Sequence, residues 1–172
     1  MGGKWIGLFP LICVVLMIVS LFLPIIHVVF DIPAIPLTIE GDLMPIGGGL
    51  MDEMDPYIAL DPNIERLQNA FFILGIVFAV FFGLDALLTF INAIRVMTGS
   101  KELEKARKKW LTGGISKIIS QIVFFLVLTY YITDNLADSG VIFTFIIGWG
   151  MIITMVTGGI LIFAWILAKI AD

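Results

Sequence analysis

The feature that most constrains this chain is a series of nearly uncharged apolar runs that alternate with compact blocks of charge. Each run is about 20 residues long, which at a helical rise of 1.5 Å per residue matches roughly 30 Å of hydrocarbon. In 172 residues, 60% hydrophobic content and a mean hydropathy of +1.09 exceed what a soluble core of this size shelters, so lipid must be much of the solvent. The fold expected is an all-α integral membrane protein, a four-transmembrane-helix bundle with a large, partly ordered first extracytoplasmic loop.

The spans are expected at about residues 5–25, 68–97, 115–133 and 140–168 of a single membrane domain, 1–172. Lys4 and Trp5 open the first as a cation and an interfacial aromatic at headgroup level, and Pro24 favours its exit. The length of this run, and the lack of a small-x-small pattern in Leu23-Pro24-Ile25-Ile26-His27, predict a retained helix rather than a cleaved leader. Asp61-Pro62 is a strong helix start, since Asp accepts from free backbone N–H groups and Pro fits the first helical position. The helix from there to Met97, with Gly99 as its left-handed stop, is longer than a bilayer requires, so it tilts or protrudes.

Between the second and third spans lies a basic loop, 98–113, in which Leu103, Ala106 and Trp110 fall on one side of a helix suited to the membrane surface. Gly113-Gly114 then offers a hinge, and residues 134–139 turn the third span into the fourth as an antiparallel hairpin. The outer loop, 26–61, is rich in Pro and contains Gly47-Gly48-Gly49, which opposes a long helix; short strands fit 26–30 and 35–39. Its apolar residues, among them Ile35, Leu37, Ile39, Leu43 and Ile46, form a sticky patch unless they fold over the bundle mouth or dock on a partner.

Orientation follows from Lys and Arg. Residues 26–66 hold eight carboxylates against the single cation Arg66, whereas 95–109 holds Arg95, Lys101, Lys105, Arg107, Lys108 and Lys109. Lys4 and Lys169 flank the ends, and the 134–139 turn has Asp134 and Asp138 without a cation. The positive-inside rule places both termini and the 98–113 loop in the cytoplasm of a cell-membrane protein, with the acidic loop outside.

Several chemistries are excluded within one chain. Cys13 is the sole cysteine and His27 the sole histidine, so there is no disulfide, thiolate cluster or bis-histidine haem. His27 reads as a headgroup-level or loop-packing residue. Asp52, Glu53, Asp55 and Asp61 are hard-oxygen donors, but their spacing matches no EF-hand and a solvated surface is the simpler reading, so no metal is assigned.

Asp85 is the most informative residue, because it lies about 15 Å along the helix from Arg95, well inside the hydrocarbon. Thr89, Asn92 and Val96 share its helical face. Lys117, with Ser116, Ser120 and Gln121 around it, lies at comparable depth on the third span. One reading makes Asp85 and Lys117 an interhelical pair that sets register, with Asn92 and Gln121 satisfying the leftover donors and acceptors. The other makes Asp85 a proton or cation site on a translocation path. A neutral Asp85, or a Lys117 that snorkels to the surface, completes the alternatives. On the fourth span, Gly150, Thr154 and Gly158 repeat every four residues as a close-packing face, suited first to contact within the bundle and second to an oligomer.

Four spans, cytoplasmic termini and a large first outer loop, with Trp5 at the start of span one and Pro24 at its end, resemble the plan of claudin-like tetraspan proteins. The likeness is one of topology: the outer loop has no Trp, no Gly-Leu-Trp and no cysteine pair, so no functional residue carries over. There is no Ser-His, HExxH, paired-cysteine or phosphate-loop signature, which leaves an enzyme the least supported class; no cofactor and no nucleic acid are expected. The expected function is non-enzymatic association, as a small subunit of a membrane complex or a self-associating scaffold, with lipids and other membrane subunits or copies of itself as partners. The alternative is a small oligomeric ion or proton transporter or channel subunit that uses Asp85 and Lys117.

Overall fold

The structure, a computed structural model, describes residues 4–32, 37–46, 49–57, 62–99, 102–136 and 142–171. It is mostly helical. Lys4–Gly7 forms a 3-10 turn that runs into α1 (Leu8–Ser20), followed by β1 (Ile26–Ile32), β2 (Leu37–Leu43) and the short α2 (Leu50–Met54). The long helices α3 (Pro62–Met97) and α4 (Leu103–Leu136) follow, then β3 (Ile142–Ile147) and α5 (Trp149–Ala171). Three helices, α3, α4 and α5, are long and apolar enough to cross a membrane; the Lys4–Ser20 stretch is apolar but shorter.

Local chemistry explains these bounds. Pro10 sits in the first turn of α1, where its missing N–H is tolerated. The helix stops at Ser20 rather than near 25 because Pro24 has no N–H to give the Ser20 carbonyl, which instead accepts from Leu23 N at 3.4 Å. At the other end of the scale, α3 runs for 36 residues and finishes with Gly99 at φ +77, whose N–H reaches Val96 O at 3.1 Å. Across Gly113-Gly114, where a hinge is expected from sequence, α4 continues unbroken for 34 residues.

The chain divides into two compact units. One comprises Met1–Val19, Phe81–Val123 and Ile152–Asp172. Its core gathers Ile6, Cys13, Val96, Ala106, Trp110, Leu161, Ala164 and Ala168. Ala106 and Trp110 therefore face other helices, not the membrane surface expected for the basic stretch, while Lys105, Lys108 and Lys109 stay exposed. Close backbone approach is concentrated at Gly114 and Gly158: a Cβ on Gly158 would stand 2.8 Å from Gly114 O. This contact is what Gly114 in the uninterrupted α4 serves, at a helix-propensity cost of about 1 kcal/mol.

The other unit comprises Ser20–Val80 and Phe124–Met151 and carries a three-stranded antiparallel sheet in the order β2-β1-β3. In β1 the period-two pattern is clear, with Ile26, Val28 and Phe30 buried and His27, Val29 and Asp31 on the other face. Register places His27 opposite Asp42 and Asp31 opposite Thr38, and both pairs are bonded, Nδ1 to Oδ1 at 2.9 Å and Oγ1 to Oδ1 at 2.7 Å. The strand at 142–147 departs from the helix expected from residue 140 onward. A short Ile/Phe/Thr run does not distinguish strand from helix by periodicity, and the ladder offered by β1, from Ile26↔Ile147 to Asp31↔Ile142, decides it. The helix expected from residue 140 is corrected to this extent.

Candidate functional site

In the first unit, polar groups from several helices are buried among apolar side chains. Lys117 projects from α4 toward α3, where its Nζ donates to Asp85 Oδ2. The Lys117 side chain is 1% exposed and that of Asp85 28%. An ammonium so deeply buried is stable only beside its counter-charge, because the desolvation cost of either ion alone is several kcal/mol, on the order of the loss seen when one partner is removed. Asp85 and Thr89 sit four residues apart on one α3 face, with Thr89 buried and Asp85 partly exposed at its margin.

The other polar residues read from the sequence are placed differently. Gln121 lies one turn beyond Lys117, fully buried, and neither its Oε1 nor its Nε2 has a hydrogen-bond partner among the described residues. It therefore does not supply the leftover bonds of the ion pair. The Asn92 Nδ2 donates to Leu88 O of its own helix at 2.8 Å. Gln121 shows the reason: a side chain on a shared helical face need not reach the same atom.

On α5, Gly158 packs against Gly114 and Ile118 of α4, with Lys117 Cβ at the margin of the contact. Thr154 is fully buried and its carbonyl accepts from Thr157 Oγ1 at 2.7 Å. Cys13 Sγ reaches Thr157 O at 3.5 Å, which ties α1 to the same level of α5. In the second unit, Gly150 abuts the chain leaving α1: its N–H reaches Pro24 O at 2.8 Å, and a Cβ there would lie 3.0 Å from Ser20 O. The four-residue repeat on α5 thus marks close approaches to two different segments. Sequence reasoning missed Gly114 and Cys13 as contact residues. The signal for Gly114 was present, a glycine pair inside a long helical pattern, but it reads equally as a hinge until the facing glycine is known.

Outside the long helices, Asp55 accepts from Gln68 Nε2, Asp52 and Glu53 are exposed, and Asp61 lies outside the described residues. Among the described residues, no group of three or more His, Cys, Asp and Glu side chains is arranged to hold a metal ion. His27 joins Asp42 across the sheet as a half-exposed pair. No protein-family model matches the chain, and no curated protein resembles it significantly. Chemically, the Asp85–Lys117 pair offers a charge-assisted bond between α3 and α4.

Proposed function

We propose that this chain is a four-span protein of the cell membrane that acts by association, as a small subunit of a larger membrane complex or as a self-associating scaffold. In this reading both termini and the basic 98–113 segment face the cytoplasm, the acidic 26–61 segment faces out, and Lys4–Ser20 is the fourth crossing element. The observation that carries it is the edge of the sheet. Among the described residues β3 pairs only with β1, contains no charged side chain and leaves Ile142, Ile146 and Ile147 exposed. Soluble proteins blunt such edges with Lys, Pro or bulges, and an edge without them is a template for another polypeptide.

Purification from the native membrane in mild detergent tests this. A fixed-ratio complex or a discrete homo-oligomer is expected, and Ile146→Lys should release the partner while the chain still folds. A strictly monomeric, partner-free chain in both detergent and native membranes ends the reading. A second reading, a small oligomeric ion or proton transporter or channel subunit, is supported by the buried Lys117 against Asp85 with the Gln121 amide one turn away. It requires ion or proton flux in liposomes that Asp85→Asn abolishes.

A further inference from the structure

We infer that the outer seam between α3 and α4 is a two-fold interface with a second copy of this chain, in which Ser116 of each copy donates to Asp85 of the other. This rests on the association reading and adds to the β3 edge a second contact surface, made with a second copy of the chain.

The starting point is an imbalance in the ion pair. Lys117 is sealed inside the unit, but Asp85 keeps 28% of its side chain exposed, and the Lys117 ammonium meets only Oδ2. Its neighbours on the open side of α3 are apolar and turned outward: Phe81 is 50% exposed and Leu88 59%. In hydrocarbon, a carboxylate oxygen open to lipid tails lacks the donors that water would supply, and satisfying it is favourable. Lipid tails offer no N–H or O–H.

A donor is present at the required depth. Ser116 precedes Lys117 on α4, is exposed, and its hydroxyl has no partner among the described residues; the hydroxyl of Ser120 is already given to Lys117 O at 3.0 Å. Because Lys117 bonds Asp85, Ser116 lies within the reach of one lysine side chain from the level of Asp85. A two-fold axis along the membrane normal preserves depth, so it sets α4 of one copy against α3 of the other with Ser116 within that reach of the level of the facing Asp85. The seam is self-complementary, an acceptor on α3 and a donor on α4. Charge does not oppose it, since each Asp85 is already neutralised by the Lys117 of its own chain. Asn92, two turns from Asp85 on the same face and half-buried, adds a further polar group to the seam.

The test uses the full chain in lipid nanodiscs and in mild detergent, with Cys13→Ala as the background for crosslinking. A chain carrying Leu88→Cys, mixed with a differently tagged chain carrying Ser116→Cys, should form a mixed disulfide dimer. Single-molecule photobleaching should show dimers for the native chain, about tenfold weaker dimerisation for Ser116→Leu and near-native dimerisation for Ser116→Thr. Ser116 is exposed in the single chain, so the thermal midpoint of the monomer should hardly move. A dimer that persists unweakened in Ser116→Leu, or that gives no mixed disulfide, overturns the seam but leaves association by another surface standing. Crosslinking of Leu88→Cys to a different protein instead would assign the seam to a foreign helix and also overturn the proposal. A native chain that neither dimerises nor holds a partner overturns both readings.

Discussion

At the scale of single residues, stability is concentrated where a side chain has no alternative partner. Lys117 is the clearest instance: with 1% exposure it has no route to water, so Asp85→Asn strands a buried charge. Each single change, Asp85→Asn or Lys117→Met, should cost on the order of 3 kcal/mol, and the double variant should recover much of it. A double-mutant cycle on thermal or denaturant unfolding in detergent measures the coupling; strict additivity would mean that the two groups do not meet. Gly158 makes a steric case of the same kind. Leucine there is driven into Gly114 O and Ile118, whereas Ile160→Leu changes shape at equal volume, so Gly158→Leu should lower the unfolding midpoint far more. Equal midpoints would show that this face looks at lipid.

At the scale of elements, the junctions decide which glycines matter. Gly148, between β3 and α5, gives its N–H to Ile25 O at 2.8 Å and lies so close to Pro24 that any Cβ would collide with its carbonyl. Backbone cannot yield as a flexible side chain does, so Gly148→Ala should destabilise the β3–α5 junction by more than 1 kcal/mol, as an overpacking cost of roughly 1–3 kcal/mol implies. Gly83 in α3 and Gly159 in α5 are the contrast, since a Cβ at either meets nothing within 4 Å. Alanine at these two helical positions should instead stabilise by about 0.5–1 kcal/mol each, through helix propensity and reduced freedom of the unfolded chain. Unfolding midpoints that rank Gly148→Ala below the native chain and Gly159→Ala at or above it would support this assignment; the reverse order would contradict the junction geometry. The same junction explains why an element was misread. An apolar run from 140 to 168 is continuous in hydropathy, and only the hydrogen-bonding edge of β1 separates a strand at 142–147 from the helix after it.

At the scale of the whole molecule, the charge blocks forecast orientation. Cysteine placed at Asp52 in a Cys13→Ala background should react with an impermeant thiol reagent on intact cells, and cysteine at Lys105 should react only after the membrane is opened. Labelling of 105 alone would invert the proposed topology. What the amino-acid order determined by itself was what one-dimensional patterns encode: three of the helices as long and apolar enough to span, and the start of one at Pro62 and its stop before Gly99. These follow from run length, caps and rise per residue, all properties of neighbouring residues. Tertiary structure alone decided that Gly114 is a contact and the Gly113-Gly114 pair not a hinge, that Gln121 stands apart from the ion pair, and that β3 joins the edge of β1. Each of these depends on what a distant segment places opposite the residue, and a glycine, an amide or an open strand edge has several satisfactory partners until packing removes all but one.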